Sequence, residues 1–151
     1  MEIQNIPKIE LHLHLEGAAP PDFIKKLARQ KKIEISRIFN TDGSYQFRDF
    51  KEFLYIYEMV TSVLSTPEDF YDLTVKVLEE CSKNNVVYTE LFLSPEFCGG
   101  NDVVAWKEFL AAIWEASLYC EEKLGIISRG VVTCIRHLGP EAAKKTAICA
   151  V

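Results

Sequence analysis

The segment at residues 9–17 constrains the fold of this chain most, because polar and apolar side chains alternate along it. The alternating residues are His12, His14 and Glu16 on one parity and Leu11, Leu13 and Leu15 on the other. This period predicts a β-strand over residues 8–15, with both imidazoles and the carboxylate on one face. Buried polar groups are costly without partners, so the polar face requires a ligand or hydrogen bonds.

Further strands alternate with helices along the rest of the chain. Helices are predicted at 21–32, 47–64, 67–83, 102–124 and from 140 onward, and strands at 86–93 and 128–135. This alternation is typical of βαβ units and a parallel sheet. The strand at 86–93 is apolar on both parities, which predicts burial on both faces. No linker divides the 151 residues, so residues 1–151 are predicted to form one domain.

Composition argues against several classes of partner. The net charge of −5 and a pI near 5.3 argue against nucleic acid or an anionic membrane as the main partner. A basic cluster is interpreted as a solvated helix face; it comprises Lys25, Lys26, Arg29, Lys31 and Lys32. The first residues do not resemble a secretory signal, and the longest apolar run, at 109–114, is too short to span a bilayer. A cytoplasmic location is therefore predicted.

The two histidines at alternate positions are candidate metal ligands. On a strand, His12 and His14 would both reach one ion at the usual bond length of about 2.0–2.1 Å. Zinc suits imidazole ligands. On spacing alone such a pair is more often two core or surface histidines with ordinary hydrogen bonds. Two ligands are also fewer than a catalytic zinc site normally has.

Glu16 lies at the carboxyl end of the predicted strand, where ligands bind in parallel α/β sheets. Its carboxylate could accept a hydrogen bond from a ligand hydroxyl. It could also cap the helix that opens near Pro21.

Residues 7–18 resemble the first-strand motif of the adenosine deaminase family, the zinc-dependent purine deaminases with a TIM-barrel fold. Three later segments resemble family segments in the same order: 50–54 the helix over the pocket mouth, 86–95 the second barrel strand, and 135–137 the end of the third. The resemblance implies an α/β fold, a (β/α)8 TIM barrel. This chain would supply about the first three β/α units plus inserted helices.

The resemblance also implies roles for individual residues. His12 and His14 would bind one Zn²⁺, and His14 would also lie close to the bound purine nucleoside. Glu16 would bind the sugar hydroxyl. A hydrophobic gate would be formed by Phe50, Phe53, Leu54 and Tyr57, although their spacing is also typical of a helix face in the core.

One position departs from the family pattern. The family commonly has an arginine two residues after the glutamate of the second strand, and this chain has Phe92 there. Glu90 thus loses its nearest cation, and an unpaired buried carboxylate is costly. Arg136, or an arginine beyond Val151, is a candidate replacement. His137 is interpreted as structural rather than as a ligand.

The implied reaction is hydrolytic deamination of adenosine to inosine and ammonia by a zinc-activated water. The family's general-acid glutamate and remaining ligands lie on later strands, so no catalytic residue is expected within this chain. A TIM barrel needs at least about 200 residues. The chain is therefore predicted to be an amino-terminal portion, inactive without the carboxyl-terminal half. The alternatives are a non-catalytic binding or assembly module and a deaminase of free adenine or another 6-aminopurine.

Overall fold

A computed structural model describes residues 2–151, and its elements follow the predicted order. The strands are β1 (Lys8–His14), β2 (Val86–Leu93) and β3 (Ile127–Val132), and the helices are α1 (Pro21–Lys31), α2 (Phe50–Val63), α3 (Pro67–Lys83), α4 (Val103–Leu124) and α5 (Gly139–Cys149). A short 3₁₀ turn, Glu16–Ala18, follows β1. None of the described helices is long and apolar enough to cross a membrane.

Local hydrogen bonds explain where the predicted boundaries differ from the observed ones. The helix predicted at 47–64 begins at Phe50, because the Asp49 side chain caps it by accepting from the N–H groups of Lys51 and Glu52, each at 2.9 Å. The strand predicted at 128–135 ends at Val132 instead. The chain beyond it turns into a 3₁₀ turn, Arg136–Leu138.

The three strands form a parallel sheet in the order β1-β2-β3. In the register, Phe92 of β2 pairs with His14 of β1 and with Val131 of β3. The pairing of β1 shifts between Glu10 and Leu13, so this strand is less regular than the alternating pattern predicts. The carboxyl ends of the strands meet at one edge of the sheet, beside the Glu16–Ala18 turn.

The core lies between one face of the sheet and the helices. On β2, Thr89, Leu91 and Leu93 are buried, whereas Glu90 and Phe92 are half-exposed. The prediction that this strand is buried on both faces is therefore wrong for the described residues, because their helices cover one face only. That arrangement leaves the other face open, and it carries His12, His14 and Phe92.

The predicted gate residues Phe50, Phe53, Leu54 and Tyr57 form one stripe along α2, here called the aromatic stripe. Helix α2 packs against the core through a different face. Its buried residues are Ile56, Val60 and Val63, whereas Phe50 is 71% exposed and Leu54 40%. The aromatic stripe is thus not the core face that its spacing allows. A second apolar row of α2 packs in the core and leaves Phe53 and Tyr57 of the stripe free to cover the end of β1.

Two members of the basic cluster have structural partners. The Lys31 ammonium donates to the carbonyl of Val63 and the hydroxyl of Ser65, both at 2.8 Å, and forms an ion pair with Asp69. The Lys25 ammonium donates to the carbonyl of Gly43 at 2.7 Å. Interpreting the whole cluster as a solvated face is therefore wrong for these two side chains, which tie α1 to neighbouring segments.

Candidate active site

His12 and His14 lie side by side on the open face of the sheet, as the alternating pattern predicts. Their ring centres are 5.3 Å apart. Both rings contact Phe92: His12 stacks on it at 4.1 Å with planes 10° apart, and His14 lies at 5.4 Å, tilted by 43°. Partial shielding of its ring from solvent lowers the pKa of His14, and the neighbouring His12 lowers it further, so the neutral, metal-binding form is favoured.

The spacing of this pair is compatible with a shared metal ion. Two imidazoles that bind one tetrahedral ion through bonds of about 2.0–2.1 Å have ring centres about 5 Å apart, and the observed separation is 5.3 Å. Among residues 2–151, however, no group of three or more histidine, cysteine or carboxylate side chains is arranged to hold a metal. Two ligands from β1 would therefore need completion from outside the described chain.

Glu16 is buried at the end of β1, beside the histidines. Its side chain is 1% exposed, and its Oε1 atom has no hydrogen-bond partner among the described residues. Its Oε2 atom accepts from the Tyr57 hydroxyl at 3.2 Å. Burial raises the pKa of Glu16 to about 7, although the nearby backbone N–H groups of Glu16 and Ser94 and the hydrogen bond from Tyr57 lower it in part. The alternative role of capping α1 is not realised, because α1 has no side-chain cap.

The absence of a side chain at Gly17 allows His14 and the Tyr57 ring to lie close to each other. A Cβ atom at this position would lie 3.0 Å from the Tyr57 ring and 3.6 Å from the Cβ atom of His14. A contact of 3.0 Å is tighter than ordinary van der Waals distance, so a side chain here would displace the Tyr57 ring. The candidate metal ligand, the buried carboxylate and the aromatic cover thus form one site.

Aromatic rings from α2 and two loops cover Glu16. Tyr57 contacts Phe53 and Phe97 at ring-centre distances of 6.2 and 5.7 Å. A cavity of about 40 Å³ remains beneath them, and it is lined by Glu16, Gly17, Tyr45, Phe47, Phe53, Ile56, Tyr57 and Val60. This space suits a few water molecules and is too small for a purine. A ligand of that size could enter only if the rings moved.

The predicted gate residues divide into two groups. Tyr57 and Phe53 line the cavity above Glu16, whereas Phe50 and Leu54 do not and are exposed on the outer side of α2. The Phe50 ring instead packs against the Phe53 ring, with ring centres 6.1 Å apart.

The sequence did not single out Phe47, Tyr45 or Phe97 as site residues. Of these three residues, only Phe47 had a signal in the sequence, because it lies at the start of the helix predicted at 47–64. Tyr45 and Phe97 lie in loops, and only the fold brings Tyr45 to the cavity beside Glu16 and Phe97 to the Tyr57 ring.

Glu90 lies on the open face of the sheet, two residues before Phe92 on β2. It accepts a hydrogen bond from the Tyr88 hydroxyl at 3.3 Å, and Arg129 of β3 occupies the paired register position. No cation of the described chain lies within 4.0 Å of the Glu90 carboxylate. Arg136 and His137 are exposed in the turn after β3 and are not its partners. The strand position paired with Glu90 therefore carries the cation Arg129, which spacing along the chain does not reveal.

A larger open cleft of about 540 Å³ lies elsewhere, between the start of α1, the turn at 42–44 and α3. It contains neither histidine of β1 nor Glu16. Its charged lining has both signs, including Lys26, Lys76 and Glu80. We assign the candidate site to the end of β1, because the unpartnered buried carboxylate and the paired imidazoles are there.

The parallel sheet, its helices and the position of the candidate site at the carboxyl ends of the strands are those of part of a (β/α)8 barrel, the TIM-barrel class. The sequence model of the adenosine deaminase family, described as "Adenosine deaminase", matches residues 7–151. The chain belongs to this family.

Individual relatives are similar over nearly the whole chain but are much longer. An adenine deaminase from Vibrio parahaemolyticus is 40% identical over 146 residues, which is 95% of this chain and 43% of the relative. The crystal structure of an adenine deaminase from Arthrobacter aurescens is 28% identical with a TM-score of 0.69, over 83% of this chain and 39% of that one. An amidohydrolase structure from Burkholderia ambifaria with bound zinc is 21% identical with a TM-score of 0.74, over 97% and 41% of the two chains.

The chain thus spans less than half the length of these relatives. The family and the barrel fold expected from the motif are confirmed. Two of these relatives are named as adenine deaminases, a name that refers to the free base and not to the nucleoside. The roles of individual site residues stay predictions.

Proposed function

We propose that this chain is the amino-terminal part of an enzyme that hydrolytically deaminates a 6-aminopurine, with free adenine as the preferred substrate. The observation that carries the proposal is Glu16, a buried carboxyl group with an unpartnered oxygen beside two imidazoles spaced for a metal. Buried polar atoms without partners are rare in native structures and call for an explanation, such as a catalytic role or a bound water or ion. The adenine deaminases among the relatives support the base as substrate.

The chemistry of Glu16 accounts for recognition of a free base. The Oε1 atom can accept a hydrogen bond from the ring N–H of a free purine. A sugar attached to that nitrogen would replace the hydrogen and remove this hydrogen bond. The aromatic side chains of Tyr57 and Phe53 would cover the purine once they had moved outward, because planar bases stack well on aromatic rings. Water would be excluded from the bound base by the same rings.

His12 and His14 would hold the metal, which we propose to be zinc. When bound, such an ion lowers the pKa of a coordinated water and so supplies a nucleophile near neutral pH. The described residues would bind and orient the purine around that centre. No described side chain is assigned as the proton donor to the ring.

Adenosine, the substrate implied by the sequence motif, is the second candidate. The free Glu16 oxygen could also accept a hydrogen bond from a ribose hydroxyl. Both substrates need the same two histidines, so the substrate preference must be measured directly.

The test compares ammonia release from adenine, adenosine and adenosine monophosphate by the full-length protein. We expect adenine to give the highest kcat/KM. Activity on adenosine alone would reject the base as substrate and restore the nucleoside. Activity on none of them would reject the proposal.

Zinc binding is tested separately by elemental analysis of the His14→Ala variant. We expect it to lose most of the zinc of the full-length protein, because one imidazole cannot hold the ion as two do. His137→Ala is the matched control, since His137 is exposed in the turn after β3. Unchanged zinc in His14→Ala would mean that the histidines of β1 are structural.

A further inference from the structure

Phe92 is the side chain in closest ring contact with the candidate metal ligands. Its ring is parallel to that of His12, with centres 4.1 Å apart and planes 10° apart. The backbone holds it there, because Phe92 pairs with His14 in the sheet and its carbonyl accepts from the N–H of Leu15 at 3.2 Å. The contact thus joins β1 to β2 at the candidate site.

The usual means of orienting a metal-binding histidine is absent from the described part of the chain. Such a histidine normally donates its second ring N–H to a carboxylate, a carbonyl or water, which fixes the ring. Among residues 2–151, neither the His12 nor the His14 side chain donates or accepts a hydrogen bond. Both side chains are also exposed, so close packing does not fix them.

We propose that Phe92 is a positioning residue, which holds the His12 imidazole in its metal-binding orientation by stacking on it. This inference rests on the proposed function, because it requires that His12 binds a metal. A stacked ring restricts rotation of the imidazole and leaves the nitrogens at its edge free to bind an ion. The negative face of the phenyl ring also favours an imidazole that has become electron-poor by donating to a cation.

The test measures the zinc dissociation constant of the full-length protein by competition with a chromophoric chelator. Phe92→Leu removes the stack at similar volume, and we expect zinc to bind about two- to tenfold more weakly, as the strength of aromatic pairs implies. Phe92→Tyr keeps the ring and should keep the wild-type dissociation constant. Unchanged zinc affinity in Phe92→Leu would overturn the proposal.

Tyr88→Leu is the matched control. Tyr88 lies on the same strand and face as Phe92, and its hydroxyl bonds to Glu90 rather than to a histidine. We expect it to leave zinc affinity near the wild-type value. An equal loss in both variants would indicate general weakening of β2 and would overturn the positioning role.

A measurement on the wild-type protein does not depend on whether Phe92→Leu folds. A stacked phenyl ring shifts the proton resonances of the His12 imidazole upfield, and a His12→Gln variant assigns these resonances. We expect them upfield of those of the exposed His137. Resonances at the position of an unstacked imidazole would overturn the proposal.

The two failures are distinguishable. A wild-type protein that binds no zinc would reject the proposed function and this inference with it. A wild-type protein that binds zinc through His12 and His14, with Phe92→Leu unchanged, would reject the positioning role alone.

Discussion

Glu16 is the residue whose environment most directly indicates a ligand. It is a carboxyl group inside an apolar surrounding, with one oxygen bonded to Tyr57 and the other without a partner in the described chain. The negative charge of Glu16 in turn adds to the burial that raises the pKa of Tyr57, so the tyrosine stays a hydrogen-bond donor. An arrangement of this kind costs stability, and such costs are often accepted at binding sites.

The stability of the protein should therefore depend on pH through Glu16. Its pKa is raised from 4.5 to about 7 in the folded state. The unfolded chain loses this proton first, so stability falls as pH rises from about 4.5 to 7 and then levels off. The full effect is on the order of 3 kcal/mol.

Glu16→Gln should remove this fall, because the amide does not ionise. We expect the variant to gain stability relative to the wild type at pH 8 and not at pH 4.5, measured by urea unfolding at both values. Glu58→Gln, at an exposed position on α2, is the control. The same pH dependence in wild type and Glu16→Gln would contradict the assigned burial.

At the scale of elements, Asp69 joins the end of α1 to the start of α3. With Thr66 it forms a capping box, and its carboxylate accepts from the N–H groups of Ser65 and Thr66 at 2.7 and 2.9 Å. Lys31 approaches the same oxygen from α1. Burial acts to raise the pKa of Asp69, but the hydrogen bonds from Lys31, Ser65 and Thr66 outweigh it, and the pKa lies below its usual value.

Asp69→Asn should destabilise the fold by about 1–3 kcal/mol, because it removes the charge from a mostly buried, hydrogen-bonded acceptor. Glu68→Gln, at the exposed neighbouring position in the same helix turn, should have little effect. Thermal unfolding at pH 7 measures both. The contribution of Asp69 should also fade on acidification, as pH falls below about 4 through its lowered folded pKa. Equal stability of the Asp69→Asn variant and the wild type would show that the contacts of Asp69 between α1 and α3 do not stabilise the fold.

At the scale of the whole molecule, the described residues form an open part of a barrel. Strands β1 and β3 are the edges of the sheet, and apolar side chains such as Ile9 and Leu11 are 62% and 50% exposed. Open edges and exposed apolar side chains favour association with other chains. This part of the barrel carries two candidate metal ligands, His12 and His14, and one candidate substrate-binding carboxyl group, Glu16.

Residues 1–151 alone should therefore not catalyse deamination. We expect no ammonia release from adenine or adenosine above background, and concentration-dependent association in analytical ultracentrifugation. The full-length protein under the same conditions is the positive control. Stoichiometric zinc and turnover by the 151-residue chain would contradict this expectation.

The amino-acid sequence by itself determined the order of strands and helices and the pairing of His12 with His14. These follow from local geometry, since alternation along a strand places both rings on one face. The start of α3 at Pro67 was also predictable, because the capping box at Thr66 lies within one turn.

Only the tertiary structure decided which side chains Glu16, Tyr57 and Phe92 contact. Tyr57 reaches Glu16 across 41 positions of the chain, and Phe92 meets His12 only through the register of two strands. Spacing along α2 did not reveal which apolar row is buried, because that depends on the surfaces packed against the helix. Burial of Glu16 likewise depends on rings from α2 and the loops. Such contacts depend on the packing of distant segments, which local periodicity does not encode.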